Sequence, residues 1–596
     1  MVGEEVAIDE GDLHARMIIL GINAHHADAA AAIVVDGKLI AAAEEERFRR
    51  IKHWAGFPSA AIRYCLDEAR VDLNDVDHIA VNRDPNARLV KRAMFLALNR
   101  PSLGAIKRRI ANRARIRDIR GEIAEAFHVD SLKPKLHHVE HHRAHLASAF
   151  FVGPFRDAAI LSVDGFGDFV SSLWGEGDGN SIDVRGEIGF PHSLGIFYTA
   201  ITQYLGFPHY GDEYKVMGLA PYGKPSMMDA MRDIVRVKNG RFALNLDYFT
   251  HHSVGLDMVW QGGAPVIGPI YSQHLIDRLG SSRAPDDLLD ERHKDIAASM
   301  QAMYEEAFFA IANDLHKKTK NPRLCLAGGC AYNSVANGLI FERTPFRELY
   351  IQAAAGDAGG AIGAAYWVWN DVLRNERSFF MDHAYLGPEY DEAAIDEAVE
   401  VRRADIQEAG CTMERVPDER ELCRRTAASI ASGNVVGWFQ GRMEWGPRAL
   451  GNRSIVCDPR RADMKNILNL KIKRRESFRP FAPSILRDAV GDWFETDYDV
   501  PFMLQVYQIR EEKRAQIPAV THVNGSGRLQ SVTREQNGRY YALIEAFRDA
   551  TGVPIVLNTS FNENEPVVNT PAQALDCFLR TKMDLLVMGD LMIARA

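Results

Sequence analysis

Apolar runs separated by glycine–aspartate turns organise the N-terminal half of the chain. Residues 17–23 (Met-Ile-Ile-Leu-Gly-Ile-Asn) read as a buried strand running into a turn. Residues 29–46 read as a hairpin, with two apolar runs around Asp36 and Gly37, a strong turn signal. A related pattern returns over residues 158–174. There Ala-Ile-Leu-Ser-Val leads into a turn from Asp164 through Gly167 to Asp168, and Phe-Val-Ser-Ser-Leu-Trp follows. Strand, turn and strand occurring twice predicts two structurally related halves with a cleft between them. A third glycine turn, with Gly328 and Gly329, follows a strand-like run and opens a helix whose positive end would seat an anion. A fourth (Gly356, Asp357, Gly359, Gly360) precedes a helix of small residues. Residues 372–414 are polar and weakly periodic, which places a domain boundary there. The expected organisation is a disordered lead-in over 1–16, a first domain over 17–385, a linker over 386–419 and a mixed α/β domain over 420–596.

At 596 residues the chain exceeds what one core sustains, in keeping with this division. A net charge of -9 argues against general nucleic-acid binding. No apolar run reaches the roughly twenty residues that span a bilayer, and the acidic start is unlike a secretory signal. The seven cysteines are scattered and form no Cys-x-x-Cys pair, so a reduced, cytoplasmic protein is expected.

Against that acidic background two basic clusters stand out. Residues 437–454 carry Arg442, Arg448 and Arg453 among four glycines, and residues 471–483 carry Lys471, Lys473, Arg474, Arg475 and Arg479. Glycine lets a backbone approach a ligand closely, and arginine forks grip phosphate and carboxylate oxygens in pairs. The pattern predicts a site for a small, heavily charged anion. Two further segments add to it: Gly525-Ser-Gly-Arg528-Leu-Gln530, and the strand-to-turn run Val556-Leu-Asn558-Thr-Ser560-Phe-Asn562.

Other constellations are less decided. His141 and His145, four apart, would share one helix face, a common way to hold a transition metal; an uncoordinated polar patch is the alternative. A third ligand would come from elsewhere, and Asp357 on its glycine turn fits, unless it caps a helix. His26 and Asp28 offer a general base and its orienter, or Asp28 simply forms the turn. The charges over residues 44–53 read by default as a surface helix with internal ion pairs. Residues 212–223, with Glu213 and Lys215, offer a weak nucleotide-lining signal. The Lys/Arg-dense run over residues 88–120, broken by Pro101, reads as a solvated helical pair, with docking of an acidic substrate or partner as the other reading.

Taken together, residues 437–454, 478–484, 140–149, 217–223 and 558–562 resemble the O-carbamoyltransferases that include the nodulation-factor, cephamycin and tobramycin enzymes. The resemblance covers nearly the whole chain from Met17. It implies an N-terminal two-lobed domain similar to the tRNA threonylcarbamoyl-transferring enzymes of the actin and sugar-kinase superfamily. The C-terminal α/β domain would be similar to threonylcarbamoyl-adenylate synthases. The implied activity joins carbamoyl phosphate and ATP, with Mg(2+), into carbamoyl adenylate in the second domain, and passes the carbamoyl group to an acceptor hydroxyl in the first.

By the same resemblance the anion site falls on Arg448, Lys473, Arg479, Arg528, Asn558 and Ser560, and the metal ligands, for Fe(2+) or Zn(2+), on His141, His145 and Asp357. His26 falls on the family's candidate base. Lys52 and His53 fall on positions lining the carbamoyl adenylate site, with Asp164, Gly165, Gly328, Gly329 and Asn333 expected on the substrate and nucleotide. Two departures stand out: Tyr214 where relatives commonly carry glycine, and Ala30 where they often carry serine, which removes one hydroxyl contact in the turn after His26. The implied partners are carbamoyl phosphate, ATP and a hydroxyl-bearing small molecule, natural product or sugar. Membrane and nucleic acid are not expected, and a homodimer is left open. A tRNA-modifying enzyme is the alternative, against which the acidic charge weighs. A hydrogenase-type maturation factor would need an acylphosphatase segment and zinc-binding cysteines, which the sequence lacks. The acceptor's walls are expected over residues 83–120 and 251–298, but their composition names no acceptor.

Overall fold

The computed structural model describes residues 16–99, 118–254 and 258–595. The lead-in before residue 16 and residues 100–117 of the basic run lie outside the described residues.

The first five strands are β1 (Ile18–Asn23), β2 (Ala30–Val35), β3 (Lys38–Glu44), β4 (His78–Val81) and β5 (Lys135–His138). They form one sheet in the order β3-β2-β1-β4-β5. β1 is antiparallel to β2 and parallel to β4. A second sheet repeats this plan with β6 (Asp157–Gly167), β7 (Val170–Asp178), β8 (Ser181–Gly189) and the strands Arg323–Ala327 and Glu348–Ile351. Its order is β8-β7-β6, then Arg323–Ala327, then Glu348–Ile351, with β6 again antiparallel to its hairpin partner and parallel to the crossover strand. The two expected halves are therefore real and share a topology. In each, an uninterrupted apolar strand sits centrally because it is covered on both faces; every residue of β1 is buried. The turn of the second hairpin falls later than expected. β6 runs through Gly167, and Asp168 and Phe169 take the positive φ values.

Helices His141–Phe150 and Gly359–Tyr366 belong to the two halves and cross in direct contact. Gly363 makes the crossing close: a Cβ there would lie 1.8 Å from Ala144 O. This contact draws the N-terminus of the first helix and the turn before the second to one place.

The C-terminal domain is a nine-stranded mixed sheet. Its order is Cys411–Arg415, Leu591–Arg595, Leu585–Met588, Val436–Phe439, Arg453–Cys457, Ile555–Ser560, Ala482–Leu486, Ser526–Val532 and Gln505–Gln508. It has its own core, separate from the core shared by the two N-terminal halves. The expected linker over 386–419 is not a free connection. It holds helices Glu392–Val401 and Arg403–Glu408 and the edge strand Cys411–Arg415, which pairs with Leu591–Arg595. Ile395, Val399 and Ile406 are enough to seat these helices on the second core, whereas Leu386 still packs on the first.

The charged run over residues 44–53 departs most from expectation. Only Glu46–Arg49 is helical, and Glu44, Glu45 and Arg47 are buried. Glu44 and Arg47 are buried because the second domain docks on them, while Glu45 lies under the start of the helix Ser59–Ala69 and accepts from Ala61 N at 2.7 Å. Gly446 N donates to Glu44 Oε1 at 2.8 Å, and Arg47 Nη2 donates to Gly446 O at 2.8 Å. Arg50 adds bonds to Pro566 O and Val567 O at 2.6 and 2.7 Å. Arg442, expected on an anion, belongs to the same junction and donates to Ile40 O, Tyr64 Oη and Leu386 O at 3.0–3.1 Å. Arg453 is fully buried and structural. Its guanidinium donates to Gln440 O, Gly441 O, Asn452 O and Pro388 O and lies 3.7 Å over the Phe439 ring. Replacing it leaves buried carbonyls without donors, so Arg453→Met should lower unfolding stability by about 3 kcal/mol, read from denaturant midpoints.

Candidate functional site

Four ligand-type side chains converge where the two halves meet. Glu140 caps the helix His141–Phe150, accepting from His142 N and Arg143 N at 3.2 and 3.1 Å. The first turn of that helix then places His141 and His145 on one face, their Nε2 atoms 3.0 Å apart. His142 turns away to Ser162 Oγ and Val170 O. Asp357 arrives from the turn before Gly359–Tyr366, with Oδ1 3.4 Å from His141 Nε2 and 3.6 Å from His145 Nε2. It is no helix cap, for Ala358 holds that position. Asp164, expected on the substrate, completes the group: its Oδ2 is 3.1 Å from His141 Nε2 and 3.6 Å from His145 Nε2. Gly167 is required here, since a Cβ would lie 1.9 Å from the His141 ring.

This cluster fits a cation on its own geometry. The ligand atoms of His141, His145, Asp164 and Asp357 all lie within 4.8 Å of one another and all four residues are buried. Asp357 Oδ1 has no hydrogen-bond donor among the described residues. Two facing imidazole nitrogens with two carboxylates suit Fe(2+) or Zn(2+). Burial pushes the Asp357 carboxyl up and Asp164 adds to this, yet His26 and His145 hold it below the usual carboxylate range.

His26 sits beside this cluster, but the carboxylate it meets is Asp357, through Nδ1 and Oδ2. Asp28 instead pairs with His53, Oδ1 to Nδ1 at 2.8 Å, and the His53 backbone N–H donates to Glu46 Oε2 at 2.8 Å. The expected His26–Asp28 couple is therefore replaced by two couples, because the left-handed backbone at His25 and Asp28 turns the two side chains apart. Burial would lower the His53 imidazole, but Asp28 outweighs it and holds the pKa up at about 9.

Across the same cavity stand arginines of the second domain. Arg448, Arg475, Arg479 and Arg528 line it, together with Asn558, Ser560, His26, Lys52, His53, Asp164 and Asp357, around a volume of about 520 Å³. The Nε–H groups of Arg448, Arg475 and Arg528 are buried without an acceptor among the described residues. Burial depresses all three guanidiniums, and mutual repulsion adds to the effect at Arg475 and Arg528; Arg475 falls to about 9 and Arg528 well below its ordinary value. Arg479 is partly compensated by Glu476 at 3.4 Å and by the Tyr214 ring at 4.5 Å. Half-buried cations crowded together, with donors left over, suit an anion.

Lys473 is not among these cavity-facing groups. It is 2% exposed, and its ammonium donates to Ser560 O, Asn562 O and Asn562 Oδ1 at 2.6–2.7 Å, holding the turn beneath the site. Arg475, in the same basic cluster but not singled out from sequence, takes the cavity position; the signal was its place between Lys473 and Arg479. The glycine turn at Gly328 and Gly329 offers little to an anion. Gly328 N donates to Ala355 O and Gly329 N to Asp164 Oδ1, and the helix that follows, Ser334–Gly338, has five residues capped by Asn333. Gly165, Gly329 and Asn333 do line the cavity, as do Glu213 and Tyr214.

Residues 18–366 match the family model described as carbamoyltransferase N-terminus, and residues 427–595 that described as carbamoyltransferase C-terminus. An uncharacterized protein of Synechocystis is 42% identical over 616 residues, covering 97% of this chain and 96% of its own length. Nodulation protein NolNO of Sinorhizobium fredii is 38% identical, covering 95% of this chain and 79% of its own. The 3'-hydroxymethylcephem-O-carbamoyltransferase of Amycolatopsis lactamdurans is 31% identical, over 50% of this chain and 54% of its own. Among solved structures, HypF of T.kodakarensis is 14% identical with a TM-score of 0.31, covering 60% of this chain and 48% of its own.

Two outcomes follow from the geometry. His141→Ala should abolish stoichiometric Fe(2+) or Zn(2+) retention after gel filtration, measured by elemental analysis, with the fold kept by circular dichroism. The Asp28–His53 pair should contribute stability fully below about pH 6.5, the unfolded imidazole's value, and lose it as pH rises through about 9. The difference in unfolding free energy between the parent and His53→Gln should therefore shrink between pH 6 and 10.

Proposed function

The chain belongs to the carbamoyltransferase family, and from that premise we propose that it is an ATP-dependent O-carbamoyltransferase working through carbamoyl adenylate in one shared cavity. The observation that carries this reading is the cavity's lining. Arginines of the second domain, three of them with a buried Nε–H that meets no acceptor among the described residues, and the His/Asp cluster of the first line the same cavity.

The chemistry balances as follows. Water cleaves carbamoyl phosphate to carbamate and phosphate. A carbamate oxygen attacks the α-phosphorus of ATP and expels pyrophosphate, leaving carbamoyl adenylate. The acceptor's hydroxyl oxygen then attacks the carbamoyl carbon, loses its proton and expels AMP. Arg448, Arg475, Arg479 and Arg528 offset the charge of the two phosphorylated reactants and of the transferring phosphoryl group. Asn558 and Ser560 offer polar contacts on the same wall. On the other wall His141, His145, Asp164 and Asp357 would hold the metal, whose Lewis acidity polarises oxygen when bound. His26, oriented by Asp357, is placed to take the acceptor's proton. His53, kept protonated by Asp28, offers a positive partner to the departing AMP phosphate. The acceptor is a hydroxyl-bearing small molecule, natural product or sugar.

Purified protein given carbamoyl phosphate and ATP with Mg(2+) should release pyrophosphate, followed as the extra phosphate that appears only when inorganic pyrophosphatase is added. Arg448→Ala should lower that rate by about 100-fold or more while leaving the thermal midpoint unchanged or raised, since it removes an unpaired buried cation. A parent protein that releases no pyrophosphate under these conditions would falsify the adenylate route.

A further inference from the structure

His522 lines the same cavity as Arg528 and Lys465, and its hydrogen bonds decide where its proton lies. It sits in the turn before strand Ser526–Val532, with its N–H bonded to Ser526 O at 2.8 Å. Asn524 Oδ1 lies 3.3 Å from Ser526 N and 2.7 Å from Ser526 Oγ. A backbone N–H can only donate, so the atom it meets is the amide oxygen, and that oxygen can only accept. The Ser526 hydroxyl therefore gives its single proton to Asn524. Toward His522 Nδ1, 3.1 Å away, Ser526 Oγ can then only accept. Nδ1 carries the hydrogen, and Nε2 is left with a bare lone pair. That Nε2 is buried and has no partner among the described residues. Protonation does not remove the lone pair: burial, then the cations Arg528 and Lys465, hold the imidazole neutral, with its pKa down at about 3.

On this wall of cations His522 Nε2 is thus an uncapped acceptor, as Asn558 Oδ1 is. Phosphate oxygens cannot satisfy it, because they only accept. The ligand must place an N–H or O–H donor there while its anionic end meets Arg528. In carbamoyl phosphate, and in the carbamate derived from it, the NH₂ group is separated from the charged oxygens by only a few bonds. ATP's own donors are its ribose hydroxyls and, at the far end from its phosphates, the adenine amino group, and a loss confined to KM for ATP is the outcome that would assign the contact to them.

We propose that His522 is a specificity-determining residue that reads the amide end of the carbamoyl donor, its Nε2 accepting one N–H of the NH₂ group. This rests on the function proposed above. The residue would separate carbamoyl phosphate from acyl phosphates such as acetyl phosphate, whose methyl group puts no donor at the same place. Because the NH₂ group persists from carbamoyl phosphate through carbamate to carbamoyl adenylate, one contact serves the whole adenylation sequence. Ser526 and Asn524 act through it, as positioning residues that fix the tautomer.

The test compares pyrophosphate release from ATP with carbamoyl phosphate and with acetyl phosphate, in the parent and in His522→Phe, His522→Gln and Ser526→Ala. With His522→Phe, kcat/KM for carbamoyl phosphate should fall about tenfold or more, KM for ATP should hold, and the preference for carbamoyl over acetyl phosphate should collapse. His522→Gln, which restores an acceptor, should recover part of that preference. Ser526→Ala, which frees the tautomer, should lie between parent and His522→Phe. In the ligand-free parent, ¹⁵N imidazole shifts should report an Nδ1–H tautomer that stays neutral from pH 8 to 5. An Nε2–H ring, an unchanged preference in a folded His522→Phe, or a loss seen only in KM for ATP overturns the assignment. A parent inactive with carbamoyl phosphate and ATP sinks the proposed function instead, and the tautomer spectrum still decides whether the acceptor is there.

Discussion

Like charge crowded onto one half-buried wall is the constraint on which this molecule turns. Arg448, Arg475, Arg479 and Arg528 gather on one cavity wall, and three of them keep a buried N–H with no acceptor among the described residues. Such an arrangement opposes folding. It persists because the nine-stranded sheet and the domain junction over-determine it: Arg448 follows the Gly446 turn clamped by Glu44 and Arg47, and Arg528 lies within strand Ser526–Val532. The neighbouring Arg453 and Lys473 are more deeply buried, and carbonyl oxygens meet the terminal nitrogens of the one and the ammonium of the other. Those carbonyl partners mark them as structural cations, whereas the four arginines line the cavity.

The opposite wall carries the opposite sign. Asp164 and Asp357 with two imidazoles form a cation-ready cluster, and Asp28, Glu44, Glu46 and Glu213 also face the space. On the proposed reading, phosphates belong at the arginine end while the neutral carbamoyl group moves toward the His/Asp end. Enclosure matters for both steps, since carbamate and carbamoyl adenylate are lost to water when exposed. The junction bonds of Arg47, Arg50 and Arg442 are then part of the chemistry's container as well as of the fold.

Much of the architecture was legible in the chain. The repeated strand–turn–strand units, the Asp36–Gly37 hairpin and the small-residue helix after Asp357 follow from local pattern, and only the second unit's turn is displaced, to Asp168 and Phe169. The one-turn spacing of His141 and His145 foretold a shared face. Misreadings came where local pattern and tertiary burial diverge. A run as charged as residues 44–53 resembles solvated helix in any window, because its burial is imposed by a domain some 400 residues later. Residues 386–419 resemble a linker because few apolar side chains suffice to seat two helices on a core supplied by other strands.

Sequence by itself determined the element types, the two-part plan and the chemical kinds of side chain at the site, since these depend on periodicity and residue identity within short windows. Tertiary structure decided which cation serves and which supports: Arg475 rather than Lys473 faces the cavity, Asp164 joins the imidazoles, and His26 and Asp28 take different partners. It also decided the tautomer of His522. Those outcomes depend on which donors and acceptors meet across the fold, and hydrogen-bond valence is settled only when every neighbour is in place.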